Sequence, residues 1–224
     1  QRLAYYPMER VSLLKTTRGT KENFDQAAES YPYTIADLKE PRFYRRCTKR
    51  MQIALGTVKG SEDNRILDVG CGTAYFTFLL SKPYKHVVGI DSSKGMIKIA
   101  QRSLKKEEAG RKIELVQADG KHLPFKNNTF NAVLCLDFLH HLSTVSSAIM
   151  EMARVAVLGG KIVAIEPNFL NPLYAILCLV VNQESYERII RASQRELSRL
   201  FKERSLNNIT LKETDFYPQL FLKL

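Results

Sequence analysis

Glycines and acids follow the apolar runs of this chain at spacings that suit a nucleoside site. Gly70 and Gly72 come directly after the run ILDV at residues 66–69, which contains Asp68. Glycine lets the backbone turn tightly and lets a ligand approach with no Cβ in the way. A second acid, Asp91, lies 23 residues after Asp68 at the end of the next apolar run. A carboxylate at that place accepts hydrogen bonds from both hydroxyls of a ribose.

A third acid, Asp119, follows a third apolar run and precedes Gly120. Its carboxylate suits an adenine amino group, and the Gly120 N–H suits a ring nitrogen. The third glycine of the dinucleotide pattern G-x-G-x-x-G is replaced by Tyr75, which disfavours NAD or FAD. The three run ends therefore predict groups suited to an amino acid, a ribose and a base.

The elements that position these groups are short apolar runs separated by helical stretches. This alternation predicts a parallel α/β sheet. Ser92 or Ser93 is predicted to cap a helix that Gly110 ends, and a further helix is predicted over residues 144–155. The predicted strands cover residues 65–69, 86–90, 112–117, 131–136, 161–165 and 208–214.

The 224 residues suit one domain with an appendage. Residues 1–60 are predicted to form an N-terminal helical cap or lid that contains a basic helix over residues 37–55. Residues 61–224 form the main domain. Within it, residues 172–204 are predicted to be an insertion that covers the substrate, with a charged helix over residues 194–204.

The chain is basic, with 34 Lys and Arg against 23 Asp and Glu, and residues 1–60 alone hold 12 against 6. That excess favours an anionic partner: nucleic acid, an anionic membrane surface or a phosphorylated substrate. A solvated basic helix face is the alternative interpretation. The oligomeric state is left open by the sequence.

The four cysteines are far apart and form no C-x-x-C pair. This usage fits a reducing cytosol, so the protein is expected to be cytoplasmic. The longest apolar run, residues 173–181, has nine residues, about half of what a membrane-spanning helix needs.

Five segments together carry a family resemblance: ILDVGCGTAYFT at 66–77, VGID at 88–91, ADGKHLPF at 118–125, FNAVLCLDFLHHL at 130–142 and GGKIVAIEPN at 159–168. They resemble class I S-adenosylmethionine-dependent methyltransferases, in the style of the ubiquinone/menaquinone-biosynthesis (methyltransferase domain 11) type. The resemblance implies a Rossmann-like fold, a mostly parallel twisted sheet with helices on both faces, and S-adenosyl-L-methionine as the cofactor.

The resemblance also implies a set of cofactor contacts: Asp68, Gly70, Cys71, Gly72, Asp91, Ser92, Met96, Asp119, Gly120, Leu136 and Asp137. In the family, the glycine turn and the acid before it face the methionine part. The acid after the second strand faces the ribose, and the acid and glycine after the third strand face the adenine. The pair after the fourth strand would lie beside the methyl sulfonium.

The chain departs from the family pattern at several places. Ala74, Asn131 and Leu158 stand where a glycine, an acid and a proline are commoner. The family sheet ordinarily closes with an antiparallel seventh strand, for which only residues 216–224 remain. Either those residues form that strand or the chain is truncated.

Two adjacent histidines are the candidate catalytic bases. His140 and His141 follow the fourth predicted strand and titrate near neutrality. A base is needed only if the acceptor holds a proton, because positioning supplies most of the acceleration. His141 matches a histidine common in the family, and a role in holding the loop by hydrogen bonds is the alternative. The stretch from Asp137 to His141 also resembles a metal-binding Glu-x-x-Glu-His stretch of ubiquinone O-methyltransferases, but no metal is expected.

The methyl acceptor is the least determined feature. The Asn/Asp-Pro-Pro-aromatic turn and the Pro-Cys pair of two nucleic-acid methyltransferase classes are absent. The apolar segment over residues 169–181 predicts either a substrate cover or a core helix. The favoured prediction is methyl transfer to an O or C atom of a small, apolar or lipid-like acceptor, with peripheral contact to an anionic membrane. The alternatives are an RNA methyltransferase that uses the basic cap and a non-catalytic cofactor-binding scaffold.

Overall fold

The computed structural model describes residues 24–26, 28–31, 33–58, 60–107, 113–167, 199 and 209–214. Apart from Arg199, the predicted insertion over 172–204 lies outside these residues, as do residues 216–224 and Gly110. Within the described part of the chain, no helix combines the length and apolar character needed to cross a bilayer.

A six-stranded sheet forms the centre of the fold, with the strand order β3-β2-β1-β4-β5-β6. Every pairing between neighbouring strands is parallel. The strands are β1 Arg65–Val69, β2 His86–Asp91, β3 Ile113–Gln117, β4 Phe130–Leu136, β5 Ala156–Pro167 and β6 Ile209–Thr214. All six predicted strands are present, and the predicted parallel α/β sheet is confirmed.

Helices with defined bounds accompany the sheet: α1 Pro41–Thr57, α2 Tyr75–Leu80, α3 Lys94–Lys106 and α4 Val145–Val155. Short 3₁₀ turns cover Ala28–Ser30, Ile35–Lys39 and Leu139–His141. As predicted, Ser93 caps α3, where its side chain accepts a hydrogen bond from the Met96 N–H at 3.1 Å.

The single helix predicted over residues 37–55 is wrong, because two elements occupy that stretch. A 3₁₀ turn ends at Lys39, and Glu40 then adopts an extended backbone with φ −79° and ψ 119°. A residue before proline is disfavoured in the helical region, so Pro41 separates the two elements. Glu40 instead begins α1, since its carboxylate accepts the Phe43 N–H at 2.6 Å.

Alternating strand residues bury the two faces of the sheet under different helices. Leu67 and Val133 pack with α4 on one face. Ile66 and Leu134 pack with α1 and α2 on the other. Helices therefore cover both faces, and the carboxyl ends of the strands are left for a site.

Candidate functional site

A cleft opens at the carboxyl ends of the central strands, where the strand order changes direction between β1 and β4. Ligands of open α/β sheets bind at this switch point. The cleft contains about 920 Å³ of space including its open mouth. Its walls are formed by Phe24, Tyr31, Tyr33, Gly70, Cys71, Gly72, Thr73, Tyr75, Asp91, Ser92, Met96, Ala118, Asp119, Gly120, Leu136, Asp137, Phe138, His141 and Leu142.

The glycine turn after β1 forms one wall. Gly70 and Gly72 have φ values of +75° and +54°, in the left-handed region that glycine adopts freely. The N–H groups of Gly70 and Cys71 both donate to the Ile90 carbonyl, at 2.9 and 2.8 Å. In the part of the chain that the structure describes, no heavy atom beyond the adjacent residues lies within 4 Å of the position that a Cβ on Gly72 would take. The turn is thus tied to the end of β2 and leaves open space above Gly72.

Asp91 at the end of β2 already accepts two backbone hydrogen bonds. Its Oδ2 accepts the Gly72 N–H at 2.9 Å, and its Oδ1 accepts the Ser93 N–H at 2.8 Å. Burial raises the pKa of this carboxyl group. Each carboxylate oxygen has a further lone pair, so both oxygens still have the capacity to accept a hydroxyl.

Asp119 and Gly120 form the far end of the cleft. The Asp119 side chain is 46% exposed, and its Oδ1 accepts the Lys121 N–H at 2.9 Å. A Cβ on Gly120 would lie 2.6 Å from the Phe138 ring, and one on Gly70 would lie 2.3 Å from the same ring. Phe138 therefore packs against both glycines, which is possible only because neither carries a side chain.

Asp68 lies behind the glycine turn rather than in the cleft wall. It is 1% exposed, and the Thr77 hydroxyl donates to its Oδ2 at 2.6 Å. Burial raises its pKa to about 7, although the Thr77 hydrogen bond acts in the opposite direction. The structure thus places the Asp68 carboxyl group beneath the glycine turn, whereas the family resemblance predicts that it faces the ligand.

Asp137 is paired with an arginine from the cap. Arg50 on α1 donates from Nη1 to Asp137 Oδ2 at 2.7 Å and from Nη2 to Oδ1 at 2.6 Å. Arg50 is 7% exposed, whereas the Asp137 side chain is 37% exposed and forms part of the cleft wall. Burial raises the pKa of Asp137, but Arg50 outweighs burial and holds it below the ordinary value. The Asp137 carboxylate in the cleft wall is therefore ionised, and the Arg50 guanidinium balances its charge.

The two adjacent histidines have different surroundings. His140 Nδ1 lies 2.6 Å from Glu166 Oε2, behind the cleft wall. Glu166 Oε1 accepts the N–H groups of Phe138 and Leu139, at 3.1 and 2.8 Å. Burial lowers the pKa of His140, but Glu166 more than offsets this and raises it overall. The His140 and Glu166 pair thus holds the turn that carries His141.

His141 does line the cleft, and the N-terminal segment packs against it. The Phe24 ring meets the His141 ring edge to face, with centroids 5.0 Å apart. Asp25 accepts the Ser93 hydroxyl and the Gly95 N–H, both at 2.7 Å. Farther along, the Thr73 hydroxyl donates to the Tyr33 carbonyl. The described residues within 24–33, named here the strap, are therefore fastened on both sides of the cleft.

Burial also controls the protonation of two cysteine thiols. Cys71 in the glycine turn and Cys135 in β4 are both buried, and burial raises both pKa values well above the ordinary value. Both thiols are therefore protonated at neutral pH. Among the described residues, no group of three or more His, Cys, Asp or Glu side chains is arranged to hold a metal ion.

Known proteins match the central part of this chain, and some match most of its length. A family model described as a methyltransferase domain matches residues 67–164. Demethylmenaquinone methyltransferase of Mycolicibacterium paratuberculosis is 31% identical over 190 residues, which cover 83% of this chain and 76% of that protein. The enzyme of the same name from Mycobacterium marinum is also 31% identical over 190 residues and is covered to 75%. This chain belongs to the class I S-adenosylmethionine-dependent methyltransferases.

Solved structures agree with the fold of this methyltransferase. A putative S-adenosyl-L-methionine-dependent methyltransferase from Methanococcus maripaludis superposes with a TM-score of 0.63 at 18% identity, over 90% of this chain and 91% of the other. A putative methyltransferase from Bacillus halodurans gives a TM-score of 0.56 at 22% identity, over 70% of this chain and 67% of the other. The predicted Rossmann-like class I fold is confirmed.

The methyltransferase uses S-adenosylmethionine as its cofactor, and the cleft suits that molecule. The open space above Gly72 and the remaining lone pairs of Asp91 fit a methionine part and a ribose. Asp68 and His140 are the two predicted site residues that do not line the cleft. Those that do are Gly70, Cys71, Gly72, Asp91, Ser92, Met96, Asp119, Gly120, Leu136, Asp137 and His141.

Sequence reasoning missed several residues of the site. Arg50 was counted only as part of a basic helix, yet it lies among the buried residues of α1, between Cys47 and Ala54. An arginine within an apolar stripe is a signal that could have singled it out, because a buried charge needs a partner. No comparable signal marks Glu166 or the tyrosines of the strap.

Proposed function

We propose that this methyltransferase transfers a methyl group to an O or C atom of a small, apolar, lipid-like acceptor that carries an aromatic ring. The observation that carries the proposal is the aromatic wall of the cleft, formed by Phe24, Tyr31, Tyr33 and Tyr75. Relatives named demethylmenaquinone methyltransferases support the same acceptor class.

The aromatic wall is closely packed, and its side chains are uncharged. The Tyr33 ring stacks on Phe43 with centroids 5.3 Å apart and an interplanar angle of 1°, and Tyr31 meets Tyr33 edge to face at 5.9 Å. Burial raises the pKa of Tyr31 and of Tyr75, so both phenols keep their protons. A flat apolar ring packs well against such a surface.

The cofactor is proposed to lie across the three strand ends. Asp91 would accept the ribose hydroxyls, Asp119 and Gly120 would contact the adenine, and the glycine turn would face the methionine part. Bound S-adenosylmethionine supplies a methyl group on a sulfonium, which is already a good electrophile. The chain's own contribution is to position the acceptor for an in-line approach and to exclude water.

His141 is proposed to accept the proton of an acceptor hydroxyl. It lies in the cleft wall between the strap and Asp137, whereas His140 and Glu166 position the turn from behind. An imidazole titrates near the operating pH, which suits a general base. The N-terminal cap, residues 1–60, would act through its strap as a lid over the bound molecules.

We infer peripheral contact with an anionic membrane from the outer helix surfaces. On α1, Tyr44 is 47% exposed, and Arg45 and Lys49 are exposed beside it. The helix α3 contains no acid, and it exposes Lys94, Lys98, Arg102, Lys105 and Lys106. Clustered cations with an aromatic side chain bind anionic lipid surfaces.

Cosedimentation should occur with anionic vesicles and not with neutral ones, and should weaken in Lys98→Glu/Lys105→Glu.

The decisive experiment follows a labelled methyl group. The protein is incubated with radiolabelled S-adenosylmethionine and an extract of its source cells, and the label is divided among organic-soluble, RNA and protein fractions. Asp91→Ala protein is the blank. Label in the organic phase supports the proposal, and demethylmenaquinone in reduced form is the first defined acceptor to assay. Label in RNA would overturn it and make the basic helices a nucleic-acid docking surface.

A further inference from the structure

The ion pair between Arg50 in the cap and Asp137 in the cleft wall affects the charge that a bound ligand meets. Both Asp137 oxygens are occupied by the Arg50 guanidinium, at 2.6 and 2.7 Å. The pair links α1 to the loop after β4, across 87 residues of sequence. Removing either partner would therefore leave the other charge beside the cleft without its ion-pair partner.

Two energetically unfavourable features accompany this ion pair. Asp137 has φ +48°, in the left-handed region that non-glycine residues rarely adopt. Among the described residues, the buried Arg50 Nε has no hydrogen-bond partner. A strained backbone and a buried donor without a partner are both unfavourable, so the position of Arg50 is explained by its contact with Asp137.

Neutralising Asp137 affects the cofactor and its demethylated product differently. S-adenosylmethionine carries a positive charge on sulfur, and S-adenosylhomocysteine, formed when the methyl group leaves, does not. A bare carboxylate beside the sulfur would hold the charged molecule more tightly. Because that charge disappears during transfer, such ground-state binding would slow the reaction.

We propose that Arg50 is a specificity-determining residue that sets the relative affinity for S-adenosylmethionine and S-adenosylhomocysteine by neutralising Asp137. The proposal rests on the proposed cofactor site, with the sulfonium of the methionine part beside Asp137 in the cleft wall. It does not depend on the identity of the acceptor.

The test is calorimetric titration of both ligands at about pH 8, well above the ordinary carboxyl pKa of about 4. Arg50→Met exposes the Asp137 charge, and the ratio of the two affinities should shift at least about tenfold toward S-adenosylmethionine. Asp137→Asn leaves the Arg50 charge, and the ratio should shift in the opposite direction. In Arg50→Met/Asp137→Leu neither charge remains, and the ratio should return close to the wild-type value.

A matched control is Arg45→Met, which removes an exposed arginine from the same helix and should leave the ratio unchanged. A purely structural role for Arg50 would weaken both ligands equally, so an unchanged ratio in Arg50→Met and Asp137→Asn would overturn the proposal. If Arg50→Met does not fold, Asp137→Asn and the double variant give the same decision. Wild-type protein that bound neither ligand would instead refute the proposed cofactor site.

Discussion

A methyl group added at Gly70 tests the packing beneath the cleft most directly. The Cβ of alanine would lie 2.3 Å from Phe138 Cδ2 and 2.7 Å from Cγ, and the residue would keep φ near +75°. The left-handed backbone costs about 1 to 2 kcal/mol for an L-residue, and overpacking costs about 1 to 3 kcal/mol. We expect Gly70→Ala to lower the free energy of unfolding by about 2 to 5 kcal/mol.

Gly159→Ala separates the two contributions. Gly159 has φ +78°, but among the described residues no atom beyond its chain neighbours lies within 4 Å of the position that an added Cβ would take. Only the backbone cost of about 1 to 2 kcal/mol should therefore appear. Urea denaturation with unchanged m-values gives both numbers. A second variant, Gly70→Ala/Phe138→Leu, should be less destabilised than the sum of its single changes. Equal losses in Gly70→Ala and Gly159→Ala would refute the steric argument.

Three further predictions concern single side chains. Asp91→Ala should lose at least about tenfold in S-adenosylmethionine affinity while the protein stays folded, because both ribose hydroxyls lose the carboxylate that accepts their hydrogen bonds. Unchanged affinity by calorimetry would refute the ribose assignment. His141→Ala should lower turnover with cofactor affinity intact, and an unaltered rate on the true acceptor would leave His141 a structural role. Asp68, with a pKa near 7 when folded and about 3.9 unfolded, stabilises the protein fully below pH 4. That stability, on the order of 2 to 4 kcal/mol, is lost as pH rises to 7. Asp68→Asn should flatten the pH profile of unfolding, and an unchanged slope would contradict the burial argument.

Local pattern was sufficient for the sheet and for the cofactor end of the cleft. The strand Arg65–Val69 has the bounds that its apolar run predicts, and Ser93 caps α3 as its residue type predicts. Asp91 and Asp119 line the cleft because parallel strands end at the same edge. Such features depend on neighbours within a few residues, or on the repeated direction of the strands.

Features that depend on distant contacts were not predictable in the same way. Whether His140 or His141 faces the cleft is decided by Glu166, which lies 26 residues from His140 in sequence. The partner of Asp137 is 87 residues away on another element. Each of these contacts involves a single pair of side chains, so neither produces a repeating pattern in the sequence that could predict it.

The buried thiol of Cys71 bears on the chemical safety of the cleft. The oxidised form of a quinol-type acceptor is an electrophile that adds to thiolates, and Cys71 lies in the wall that such a molecule would approach. Because burial keeps this sulfur protonated and thiolates are the reactive form, the folded enzyme would be protected from alkylation by the proposed quinol-type acceptor. Such adducts should therefore accumulate on this sulfur only when the protein unfolds.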